Sequence, residues 1–186
     1  MLFLHTKQAP QGNPACLVGK EQMSNAPYKR KKNNIMSQSL CKIYLHIVFH
    51  IKTSSPNIDE KDFKRVHSYI RRLVDSTGCY AIQVGGIGDH VHIVCSLSRK
   101  ENVAHLVEEL KRNSSRWLKT ISLRYKDFAW QGGYGAFSVS QSVVDKTIEY
   151  VRNQKVHHQK QSFKEEYLRF LELYHIEYDE QHLFSD

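Results

Sequence analysis

The stretch Cys79-Tyr80-Ala81-Ile82-Gln83-Val84-Gly85-Gly86-Ile87-Gly88-Asp89-His90-Val91-His92-Ile93-Val94-Cys95-Ser96-Leu97 decides the fold. Its two apolar halves are joined through Gly85-Gly86-Ile87-Gly88-Asp89, so it reads as a β-hairpin with strands over 79–87 and 90–97. In the second strand His90 and His92 alternate with Val91, Ile93 and Cys95. Residues two apart on a strand share a face, so the apolar set anchors one side in a core. The two imidazoles then project together from the other side, about 7 Å apart along the chain. Such a pair can converge on one cation. Spacing alone also leaves open two half-exposed polar residues on an open sheet face, in a chain with 11 histidines.

Upstream of the hairpin, Cys41–Lys52 is rich in β-branched and aromatic residues and reads as a strand, ended by Thr53-Ser54-Ser55-Pro56-Asn57. Asp59 opens a helix with the apolar stripe Phe63, Val66, Ile70, Leu73 and Val74, closed by Gly78. Downstream, a second amphipathic helix is expected over Asn102–Lys119, with Val103, Leu106, Val107, Leu110 and Trp117 inward and Ser98-x-x-Glu101 as the opening signal. Trp130–Gly135 reads as a flexible loop and Ala136–Ser140 as a short strand. A third helix, capped by Ser140 or Ser142, is expected to run to about Gln154, and a fourth covers Phe163–Tyr174. In the third, Val144, Ile148 and Val151 make the apolar stripe, while Tyr150 and Gln154, four apart, share a flank. The order β-α-β-β-α-β-α implies an α+β, ferredoxin-like or RRM-like antiparallel sheet with helices packed on one face and an additional C-terminal tyrosine-bearing helix.

The net charge of +8 and pI near 9.3 favour a polyanionic partner. The charge is unevenly placed: residues 1–36 carry a net +5 and residues 163–186 a net −5, leaving 37–162 strongly basic. Residues 1–36 hold three of the four prolines and Lys29-Arg30-Lys31-Lys32 without periodicity, and are expected to form a disordered N-terminal extension. Residues 37–174 form the expected functional domain and 175–186 an acidic C-terminal tail. Cys16, Cys41, Cys79 and Cys95 lack CxxC spacing, which fits reduced thiols. No apolar run approaches the roughly 20 residues of a spanning helix, and MLFLHTKQAPQG lacks the features of a secretory signal. A soluble, cytoplasmic protein without membrane contact is the expectation.

Three separated segments carry a resemblance: Gly88-Asp89-His90-Val91-His92-Ile93-Val94; Trp130-Gln131-Gly132-Gly133-Tyr134-Gly135-Ala136-Phe137-Ser138-Val139-Ser140; and Tyr150-Val151-Arg152-Asn153-Gln154-Lys155-Val156-His157-His158. In this order they resemble the hallmark blocks of the single-tyrosine HUH transposases of small insertion sequences and their REP-associated relatives, over about Met36–Tyr174. The resemblance implies that His90 and His92 are paired metal ligands, Gln154 the third ligand and Tyr150 the nucleophile. The cation would be Mg²⁺ or Mn²⁺, and attack by Tyr150 would give a 5′-phosphotyrosine and a free 3′-OH. A neutral set of two imidazoles and an amide would also accept Zn²⁺, Ni²⁺ or Co²⁺.

The resemblance further implies a single-stranded DNA partner with subterminal hairpins, and a homodimer in which the tyrosine helix of one subunit completes the histidine site of the other. Candidate hinges for that exchange are Gly132-Gly133 and Lys155–Gln161. Candidate DNA contacts are Lys64, Arg65, Arg71 and Arg72 on the first helix, Lys111, Arg112 and Arg116 on the second, and Tyr134, with Phe137 as a further base-stacking residue. His157 and His158 are expected to cap or flank the helix end, with contact to DNA or to the metal neighbourhood as the alternative. A domesticated, hairpin-cleaving enzyme is an alternative within the same chemistry. A non-catalytic RRM-like module, stacking bases on Tyr44 and Phe49, is an alternative of another class.

Overall fold

A computed structural model describes residues 40–184. The expected N-terminal extension over 1–36, with its basic run and Cys16, lies outside the described residues. Four strands, β1 (Tyr44–His50), β2 (Tyr80–Gly86), β3 (His90–Ser96) and β4 (Gly135–Val139), form one antiparallel sheet in the order β2-β3-β1-β4. The helices are α1 (Glu60–Ser76), α2 (Val103–Ile121), α3 (Val144–Arg152), α4 (Gln154–His157), α5 (Phe163–Leu173) and α6 (Glu180–Leu183). This is the α+β, ferredoxin-like arrangement expected from the element order. No helix of the described residues is long and apolar enough to cross a membrane.

The alternation in β1 and β3 sorts side chains to two faces. Ile47, Phe49, Val91, Ile93 and Cys95 join Val66 and Ile70 of α1 and Leu106 and Leu110 of α2 in the main core. Each such buried aliphatic side chain contributes about 1.5–3 kcal/mol. Trp130, expected within a loop, is buried there edge-on to Phe49 and Phe128, and its indole donates to Ser114 Oγ at 2.8 Å. Trp117 is half-buried, packing against the edge of the main core and stacking on Tyr69. α2 is capped by Asn102, which accepts from the His105 amide, rather than by Ser98. Cys79 and Cys95 are buried and Cys41 exposed, all as free thiols; burial pushes Cys95 up to about 12, so it is unreactive at neutral pH.

The opposite face of the sheet is covered as well. Val94 and Val139 pack under Val144 and Val151 of α3, while Val48 and Phe137 pack under Phe163, Tyr167 and Leu171 of α5. The additional C-terminal helices therefore close over the histidine-bearing side of β3. Beyond α5 the chain returns, and Phe184 packs on His50 and Tyr167.

One glycine sets how closely the tyrosine helix sits on the sheet. A Cβ at Gly85 of β2 would lie 2.1 Å from the Val151 carbonyl oxygen, so backbone meets backbone there and no side chain fits. Gly85→Ala is expected to lower stability by about 1–3 kcal/mol through this overlap. It should also displace Tyr150. The check is urea unfolding of the variant beside the unaltered chain, with a shift of the Tyr150 ring resonances reporting its displacement.

Candidate active site

β3 presents His90 and His92 on the face beneath α3–α5, both fully buried. The antiparallel register sets His50 opposite His90 and Val48 opposite His92, which brings His46 of β1 to the same face. Each histidine of the pair has a second partner that fixes its ring. His90 Nδ1 donates to Asp89 Oδ1 at 2.6 Å, leaving a lone pair on Nε2. His92 Nδ1 lies 2.9 Å from His46 Nε2, with the two rings stacked at 5.1 Å. Burial holds His46 at about 4, so it is a neutral ring able to accept from His92 and leave His92 Nε2 unprotonated. His92 itself is held well below its ordinary value by burial and by the neighbouring imidazoles of His90 and His46.

The tyrosine helix is shorter than the sequence implies. α3 ends at Arg152, Asn153 turns, and α4 begins at Gln154, so Tyr150 and Gln154 stand on two consecutive helical pieces. Both still reach the histidines of their own chain. Gln154 is buried, with Oε1 3.3 Å from His90 Nε2. The Tyr150 ring stands edge-on to His92 at 5.9 Å and to His157 at 5.1 Å. His157, lowered by burial and then by the Arg169 charge, is neutral at pH 7.

Two residues absent from the sequence reasoning as ligands complete the cluster. Glu166 of α5 points its carboxylate inward, Oε2 lying 3.3 Å from His92 Nε2, 3.2 Å from His158 Nε2 and 4.0 Å from His90 Nε2. The ligating atoms of His90, His92, His158 and Glu166 all lie within 4.8 Å of one another. Burial, and then Asp89, push Glu166 up to about 8. His92 Nε2, His158 Nε2 and Glu166 Oε2 are buried without a hydrogen-bond partner. Orphaned lone pairs facing one another in a dry site repel unless a proton or cation sits among them. The donor set therefore fits a divalent ion. The sequence did hold a signal for Glu166: it occupies the buried stripe of α5 between Phe163 and Tyr167, where a carboxylate is costly.

Tyr150 also lines three cavities, among them two of about 870 and 380 Å³. The larger includes Lys146 and Lys160, the smaller Arg169 and Glu166. Three cations thus border the approach to the phenol, none of them singled out by sequence.

The expected DNA-contact residues separate into groups. Lys64, Arg65 and Arg72 line one depression of about 600 Å³ with the stacked Tyr69–Trp117 pair, on the α1–α2 side of the sheet. Arg116 is exposed on α2, and Tyr134 is exposed with Lys111 Nζ 5.8 Å from its ring. Arg71, by contrast, donates to the carbonyls of Ala81 and Ile82 and ties α1 to β2. Lys111 donates to the carbonyls of Gln131 and Gly132, and pins the Gly132-Gly133 loop that was a candidate hinge. Arg112 pairs with Glu108 and Glu109 along its own helix. Phe137 is buried under α5 and Phe49 in the main core, so neither is presented for base stacking. His158 does not merely flank a helix end; it stands in the cluster.

A family model described as transposase, IS200-like, matches residues 39–154, more than half of the chain. No curated relative matches. Among solved structures, a candidate transposase from Deinococcus radiodurans R1 is 16% identical, with a TM-score of 0.49, covering 62% of this chain and 93% of that one. The REP-associated tyrosine transposase bound to a REP hairpin is 12% identical, with a TM-score of 0.49, covering 66% of this chain and 74% of that one.

Proposed function

The chain belongs to the IS200-like transposase family, and from that premise we propose that it cleaves and rejoins single-stranded DNA through Tyr150, with His90, His92 and Gln154 holding a divalent cation. The observation that carries this reading is the convergence, within one chain, of the Tyr150 phenol, the imidazole pair and the Gln154 amide around unpartnered donor atoms. His90, His92 and Gln154 would hold a Mg²⁺ or Mn²⁺ ion, which would supply positive charge to the scissile phosphate.

The residues do the rest. Asp89 and His46 hold the two ligand rings with their Nε2 lone pairs inward. Tyr150 Oη forms a bond to phosphorus as the bond to the 3′ oxygen breaks, giving a 5′-phosphotyrosine. The phenolic proton leaves Oη and the departing 3′ oxygen gains one, so no net proton is consumed. His157, a neutral imidazole with a free Nε2 beside the Tyr150 ring, is the base we assign to that transfer. An unperturbed phenol has a pKa near 10, so forming phenolate at pH 7 costs about 4 kcal/mol without such help. Lys146, Lys160 and Arg169 attract the DNA backbone to the cavity mouths. Attack by a 3′-OH on the phosphotyrosine reverses the step and reseals a strand.

The DNA partner in this reading carries subterminal hairpins. The depression of Lys64, Arg65 and Arg72 beside Tyr69 and Trp117 is the surface we assign to the hairpin. A homodimer with exchanged tyrosine helices would have to lift α3 off Gly85; the packing of Tyr150 on its own His92 supports assembly of the site within one chain.

The test is incubation of the full chain with labelled single-stranded DNA from the ends of its element, with Mn²⁺. A covalent protein–DNA adduct is expected on single strands, little or none on duplex, and none after chelation. Cleavage that is unaffected by chelator, or that leaves no adduct, would sink the reading.

A further inference from the structure

We propose that α5 and the end of α4 complete the metal centre: Glu166 of α5 is an anionic ligand of the cation and His158, which closes α4, a third imidazole ligand, giving a nitrogen-rich set suited to a first-row transition ion. The inference rests on the reading of His90 and His92 as ligands and extends it to residues beyond the family match, which ends at Gln154.

The geometry fixes both groups independently of any ion. His158 Nδ1 donates to the Gln161 carbonyl at 2.9 Å, and since a carbonyl only accepts, the proton of the neutral ring is on Nδ1. Its Nε2 is therefore a lone pair, 3.2 Å from Glu166 Oε2 and without a hydrogen-bond partner. The His158 and His90 rings lie 4.5 Å apart, so the two Nε2 atoms address the same volume. Glu166 is oriented by its other oxygen: Gln154 Nε2 donates to Oε1 at 3.1 Å, turning Oε2 toward the imidazoles. One amide thus offers its oxygen toward His90 and steers the carboxylate with its nitrogen.

The helix that carries Glu166 is anchored. Ser162 and Glu165 form a reciprocal capping box at its start, Phe163 stacks on His90 at 4.6 Å, and Tyr167 and Leu171 are buried against the sheet. A carboxyl group held this way in an apolar surround stays ionised only beside a positive partner, and among the described residues those within ion-pair distance of it are imidazoles. Three imidazoles with one carboxylate and one amide suit Mn²⁺, Co²⁺ or Zn²⁺, whereas Mg²⁺ favours oxygen ligands and retained water. The carboxylate also lowers the charge that the ion presents to a phosphate, which distinguishes this centre from a neutral His-His-Gln set.

The experiment measures Mn²⁺ binding to the full chain without DNA, by the loss of free-ion EPR signal on titration. Glu166→Gln keeps the size and hydrogen-bonding shape of the side chain and is expected to weaken binding by at least about tenfold. His158→Ala should weaken it too, and pulsed EPR should count three coupled ring nitrogens in the unaltered chain and two in that variant. Metal-free melting curves check that each variant folds. Glu166→Gln binding Mn²⁺ as tightly as the unaltered chain, whatever its melting temperature, overturns the carboxylate ligand. Two coupled nitrogens in the unaltered chain overturn His158. His90→Ala binding normally would overturn the paired-histidine reading itself, a separate failure.

Discussion

A Tyr150→Phe chain is expected to fold, to bind its DNA and to form no covalent adduct. Phenylalanine keeps the ring that packs edge-on to His92, His157 and Phe170, so the packing around position 150 survives. Stability should change by less than about 1 kcal/mol. Chemistry should not survive, because the only atom removed is the oxygen assigned to phosphorus attack. Loss of a covalent nucleophile lowers turnover by a factor on the order of 10⁴–10⁶. The measurement is denaturing electrophoresis of protein incubated with 5′- and 3′-labelled single strands. An adduct that persists in this variant would falsify the nucleophile assignment and direct attention to the other tyrosines.

His90→Ala is expected to have the second-largest effect, with cleavage falling by roughly 10²–10³-fold, the range corresponding to the several kcal/mol that a metal contributes to transition-state charge. The variant should still fold, although less stably, since His90 is fully buried and stacks on Phe163. The same two variants decide how the site is assembled. In an equimolar mixture of Tyr150→Phe and His90→Ala chains, each retains what the other lacks. Because α3 packs on the sheet of its own chain, the mixture is expected to stay inactive. Restored adduct would mean that the tyrosine helix crosses between subunits in solution, as the family resemblance implies.

Much of the architecture was legible because β-structure writes its two faces into alternate residues. Val91, Ile93 and Cys95 against His90 and His92 gave the core side and the site side of β3 directly. The stripes of α1 and α2 did the same for the helical layer. Which strands pair, and in what register, is a long-range matter that periodicity does not encode, and so His46 went unnoticed: it reaches His92 only because β1 lies beside β3. Glu166 was hidden for a related reason. Its position on the buried stripe of α5 marks it as anomalous, but its meaning depends on α5 folding over β3.

The charged residues were least legible. Nothing local distinguishes Arg71, bound to β2 carbonyls, from Arg72, exposed in the basic depression. Lys111 looked like a DNA contact and is instead a clamp on the Gly132-Gly133 loop, held at about 8 by burial. Composition favours a polyanion as the partner; only the fold separates the cations that are open to one from those that hold the protein together. Phe137 failed in the same way, since an aromatic residue next to glycines suits a base-stacking loop as well as it suits the interior.

The contact between Gly85 and the Val151 carbonyl bears on how copies of this gene age. Because main chain touches main chain there, drift has no gradual route through that codon: the smallest replacement, a single methyl, overlaps the Val151 carbonyl and is expected to shift α3 against β2, moving the proposed nucleophile while every proposed ligand residue stays unchanged. Degenerating duplicates should therefore include some with every ligand intact and a single bulkier letter at that point. Reading that one position would sort silent relics from competent ones before any assay is run.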